Sequence, residues 1–168
     1  MPAIAPPSTD DLALCLAEEA RLYAELLELG QRERGAVVGS DPAVLNGVVA
    51  EKERLVAAIA RAEAGRQSWL AAWAAARGLA PAELTLAALL RALPPAEAAR
   101  VAPLRDLLLA RVRDVAQMNH DNGQLVGGAL RIVSGWLDGY ARARGEAGYQ
   151  PTGQRARGGG TAVLDYRA

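Results

Sequence analysis

The side chains best suited to chemistry are few and far apart. His120 is the one histidine and Cys15 the one cysteine of the 168 residues, so neither a Cys/His nucleophile pair nor a set of soft metal ligands can be assembled. His120-Asp121 is the only adjacent pair with ligand character. Neighbours on a helix point roughly 100° apart, which prevents them from gripping one ion, and His120 is expected to face solvent. Gly158-Gly159-Gly160 lacks both a following Lys-Ser or Lys-Thr and a strand before it, so it reads as a linker and not a phosphate loop. Glu18, Glu19, Glu25 and Glu28 stand at helical-surface spacing, where ion pairs with Arg21 and Arg32 on a solvated face account for them. Cys15 lies within Leu12-Ala13-Leu14-Cys15-Leu16 and is expected to pack as a small hydrophobe. This inventory predicts no catalysis and no cofactor.

Two groups of residues are suited to binding instead. Asn119 and Asn122 fall where a helical seam would ordinarily carry leucine or valine. Either they are buried amides that set register by bonding each other, Lys52 or Arg66, or the seam opens there against a partner. Trp69 and Trp73, one turn apart, are expected in the core, although tryptophan is also a common anchor of binding sites; Trp136 carries the same ambiguity.

The elements that must position these residues are helices. Ala, Leu and Arg dominate, aromatic residues make up 4% and phenylalanine is absent, a composition that favours helix over sheet. Formal net charge is zero and the pI about 6.6, which argues against nucleic acid. No stretch reaches 18 uncharged apolar residues, so membrane insertion is not expected, and the start lacks a signal-peptide pattern, which predicts a cytoplasmic protein.

Ser8-Thr9-Asp10-Asp11 supplies a cap and first-turn carboxylates for a helix over about 10–38, and Gly39-Ser40-Asp41-Pro42 combines a stop, a cap and a first-position proline. The second helix, about 42–77, carries a heptad seam of Leu45, Val48, Lys52, Leu55, Ile59, Ala62, Arg66, Trp69 and Trp73, with Val49 and Val56 widening it for a further neighbour. A short helix follows over about 84–93. A last helix over about 96–144 has the seam Val101, Leu104, Leu108, Val112, Val115, Asn119, Asn122, Val126, Ala129, Val133, Trp136 and Tyr140. Pro103 within it suggests a start nearer Val101 or Ala102. The expected fold is all-α: an elongated antiparallel helical bundle or coiled coil of three long helices with a short insert, over 10–144. Residues 1–9 are expected to be disordered and 145–168 to form a mobile tail.

The order of these pieces resembles the FlgN family of flagellar export chaperones. The matching residues are Glu25-Leu26-Leu27-Glu28, Gly39-Ser40-Asp41-Pro42, Glu51-Lys52-Glu53-Arg54-Leu55, Asn119-His120-Asp121-Asn122-Gly123-Gln124-Leu125, Tyr149-Gln150-Pro151-Thr152-Gly153-Gln154 and the ending Leu164-Asp165-Tyr166-Arg167-Ala168. The resemblance implies a chaperone that holds the C-terminal helical segment of the hook-filament junction proteins FlgK and FlgL and then docks on the export gate protein FlhA. It places client binding on Leu125, Val126, Leu130, Val133, Trp136, Leu137 and Tyr140, to which the open-seam reading adds Asn119 and Asn122, and gate docking on Tyr149. The neutral charge balance departs from the acidic character common in such chaperones. A monomer or dimer is expected. The competing expectations are a self-assembling structural coiled coil and a helical regulatory subunit of an ATPase or secretion assembly.

Overall fold

A computed structural model describes residues 7–79 and 84–143. Four helices account for nearly all of them: α1 (Thr9–Val38), α2 (Pro42–Ala75), α3 (Leu86–Ala92) and α4 (Pro95–Ala143). No strand occurs among the described residues. The fold is all-α, as composition and period predict.

α1, α2 and α3 each start where a short polar side chain satisfies free amides of the first turn. The Ser8 hydroxyl accepts from the Asp10 amide at 3.2 Å, the Asp41 carboxylate from the Ala43 and Val44 amides at 3.1 and 3.0 Å, and the Thr85 hydroxyl from the Ala88 amide at 3.1 Å. Ser8 and Thr9 therefore belong to the helix start, although both fall in the segment expected to be disordered. At the α1–α2 corner Gly39 keeps a right-handed φ of −76°, and Ser40 takes the left-handed turn at +52°. Gly78, at +67°, turns the chain out of α2.

The chain divides into two compact units, Met1–Gln124 and Leu125–Ala168. In the first, α1 and α2 form an antiparallel hairpin, tied along its length by polar pairs. The Trp69 indole donates to the Ser8 carbonyl at 2.9 Å, Arg66 to Glu19, Tyr23 to Glu63, Lys52 to Glu33 and Arg32 to Glu51. The core gathers at the open end of this hairpin, away from the α1–α2 corner, where Leu12, Leu16, Trp69, Trp73, Leu89, Val101 and Leu108 bring all four helices together. A second cluster of Leu22, Leu26, Ile59 and Val115 continues it. Burying each of these side chains contributes about 1.5–3 kcal/mol before conformational entropy is counted. Arg77 caps the larger cluster, its guanidinium 3.7 Å from the centre of the Trp73 ring.

Several expectations need correction. α4 begins at Pro95 and runs through Pro103 without a break. Pro103 and Ala99 are both exposed, so the ring meets water and the carbonyl deprived of its donor can do the same. The buried positions of α4, Val101, Leu108, Val115 and Asn122, repeat every seven residues, with Arg111 and Met118 partly buried between them. The extra four-residue step that placed Val112 and Asn119 on the seam does not occur; both are exposed. The flexible stems of Arg111 and Met118 fill those places, and a search for leucine and valine passes over them. Val49 and Val56 do not widen the α2 seam but are exposed, and Cys15 on α1 is only half-buried.

Candidate partner-binding surface

The described part of the second unit is the stretch 125–143 of α4. Val126, Leu130, Val133, Leu137 and Tyr140 follow one another in steps of four and three, which places them on one helical stripe. Trp136 stands beside the stripe, and Ile132, one turn before it, widens the apolar arc. All seven are exposed: Leu130 by 62%, Trp136 by 76% and Leu137 by 63%. Arg131, Ser134, Asp138 and Arg142 occupy the opposite side, where Arg142 donates to the Asp138 carbonyl at 3.1 Å. Large contiguous apolar surfaces on a protein mark interaction sites. Ile132 is missing from the sequence-derived set, although its spacing from Trp136 was readable.

The remaining sequence-predicted residues separate. Leu125 is half-buried, Asn119 is exposed, and Asn122 is buried within the first unit. The Asn122 amide donates to the Gly30 carbonyl at 2.8 Å and to a Glu33 carboxylate oxygen at 2.7 Å, and Lys52 donates to that same oxygen at 2.7 Å. One carboxylate thus ties α1, α2 and α4 together. Burial pushes the Glu33 carboxyl up, but the hydrogen bonds from Lys52 and Asn122 outweigh it and hold the group below the ordinary carboxylate range. Gly30 makes the approach of α4 possible: a Cβ there would lie 2.7 Å from Met118 Cγ.

The acidic face of α1 is only partly solvated. Glu18 and Glu25 pair with Arg21 on the surface, whereas Arg32 reaches across to Glu51 on α2 and leaves Glu28. Glu19 is 1% exposed and accepts from Arg66 at 2.8 and 3.1 Å. Its desolvation raises its pKa despite that partner. Tyr23 beside it is pushed up to about 12, by burial first and then by its hydrogen bond to Glu63. Arg66–Glu19, Tyr23–Glu63 and Arg32–Glu51 each link α1 to α2.

A family model described as FlgN protein matches residues 1–157. The chain belongs to the FlgN family. No curated protein and no solved structure matches it. FlgN proteins are flagellar export chaperones, a family without enzymatic members, and the geometry of this FlgN chain accords with a binding role. Among the described residues no group of three or more His, Cys, Asp or Glu could hold a metal ion, and no helix is long and apolar enough to cross a membrane. A cavity of the FlgN hairpin, about 540 Å³ between α1 and α2, is lined in part by Leu22, Leu29, Leu55 and Ala58. Two of those leucines are already buried, so it offers little apolar surface. Tyr149, the residue assigned to gate docking, lies outside the described residues, as do Met1–Pro6 and the tail from position 144 onward.

Proposed function

We propose that this FlgN-family chain is the export chaperone of hook-filament junction proteins of the FlgK and FlgL kind. It holds their C-terminal helical segment, prevents premature assembly and delivers them to an export gate protein of the FlhA kind. The observation that carries this reading is the uncovered apolar stripe of α4, Val126, Leu130, Val133, Leu137 and Tyr140, with Trp136 beside it. An amphipathic client helix laid along that stripe exchanges its self-assembly contacts for chaperone contacts. Leu125 belongs to the same unit as the stripe, whereas in the first unit Asn119 is exposed and the Asn122 amide is engaged by Gly30 and Glu33. Tyr149 is the gate-docking residue in this reading.

Co-purification of the full chain with the C-terminal segment of a junction protein, followed by light scattering on a sizing column, tests it. A monomer or dimer that forms a one-to-one complex is expected. The same stripe could pair with a second copy, so ordered polymerisation without client binding would replace the chaperone reading with a self-assembling one.

A further inference from the structure

The stretch of α4 that carries the exposed stripe is helical, yet it is rich in glycine, which weakens helices. Gly127, Gly128, Gly135 and Gly139 lie within it and Gly123 just before it, joined by β-branched Val126, Ile132 and Val133. Each interior glycine shifts the helix–coil balance about fivefold toward coil relative to alanine. β-branched side chains add a smaller penalty through lost rotamer freedom.

Glycine inside a helix is explained when something passes close to it, as Met118 does at Gly30. Nothing comparable happens here. A Cβ at Gly123, Gly135 or Gly139 would meet no atom within 4 Å, and at Gly127 and Gly128 it would meet only guanidinium nitrogens of Arg131, at 3.7 and 3.9 Å. None of the five has a left-handed φ; among the described glycines only Gly78 does. Neither packing nor backbone conformation calls for them. Nor does burial offset their effect, because the large apolar side chains around them are exposed.

We propose that these glycines hold the 125–143 stretch of α4 near its own helix–coil balance, so that a partner helix completes it by binding. The inference rests on the chaperone reading for the identity of that partner, the client helix. Ordering the stretch subtracts from the affinity of the complex and keeps it easy to release, a property suited to a protein that must hand its client on.

Hydrogen exchange on the full chain, read residue by residue, tests the conformational part without any client. Amides of 125–143 are expected to exchange at least about 100-fold faster than those between Leu108 and Asn122. The triple variant Gly123→Ala, Gly135→Ala, Gly139→Ala should slow exchange in that stretch by up to about 100-fold, three factors of about five. It should also tighten binding of a junction-protein C-terminal segment by up to the same factor, mostly through slower dissociation. Gly65→Ala on α2, where a Cβ also meets nothing within 4 Å, should leave that binding unchanged. Uniform protection along the whole of α4 in the unmodified chain overturns the proposal, and so does a triple variant that becomes more protected but binds no more tightly. If neither chain binds any junction-protein segment, the chaperone reading falls, while the exchange rates still decide what the glycines do.

Discussion

Gly30 and Met118 show how one missing side chain lets two helices meet. With 2.7 Å between the position of a Cβ on residue 30 and Met118 Cγ, alanine there forces Met118 from its place or moves α4. Gly30→Ala is expected to lower stability by about 1–2 kcal/mol through overpacking, even though alanine is the better helix former. Gly65→Ala, in open space, should raise stability by about 0.5–1 kcal/mol. Thermal unfolding of the two variants checks the sign of each, and a second substitution, Met118→Ala, should relieve most of the Gly30→Ala loss. The sequence marks Gly30 only as a weak point in α1. What makes it a contact is a residue 88 positions later, which no local pattern reports.

At the level of elements, the two ends of α4 carry the same kind of apolar period but meet different fates. Up to Asn122 its stripe is buried against α1, α2 and α3; from Val126 it is exposed. Removing side chains from the exposed part should therefore leave folding nearly untouched. Trp136→Ala combined with Leu137→Ala is expected to change global stability by no more than about 0.5 kcal/mol and to retain helical circular dichroism. Its affinity for the client segment should fall at least tenfold, since buried tryptophan is among the commonest energetic anchors of such interfaces. Titration calorimetry checks this, and an unchanged affinity would remove the Trp136 side of α4 from the proposed surface. Periodicity located this stripe correctly as apolar, but it could not distinguish a covered seam from an open one.

For the whole molecule, 19 acidic and 19 basic side chains balance, so stability near neutral pH depends on where particular charges sit more than on net charge. Glu33 has a folded-state pKa below its ordinary value of 4.5. Its stabilising effect is therefore fully present above pH 4.5 and is lost as the pH falls through the lower folded value. Glu19 shifts the opposite way, because desolvation favours its protonated form in the folded protein. The stability difference between the unmodified chain and Glu33→Gln should be about 2 kcal/mol near pH 7 and shrink toward zero as the solution is acidified below pH 4.5. Urea denaturation at a series of pH values measures it; a difference that persists in acid would show that Glu33 acts through packing and not charge.

Helix number, caps, the hairpin corner and the seam of α2 were legible in the sequence, because each depends on residues at most a few turns apart. Other properties depend on distant partners. Glu19 reads as a surface carboxylate and is buried against Arg66; Asn119 and Asn122 read as a pair, yet one is exposed and the other engages Gly30 and Glu33. Amphipathic spacing defines which face of a helix is apolar. Only tertiary packing decides how much of that face is covered, since coverage depends on which other elements reach it, and here the apolar residues from Val126 to Tyr140 are exposed.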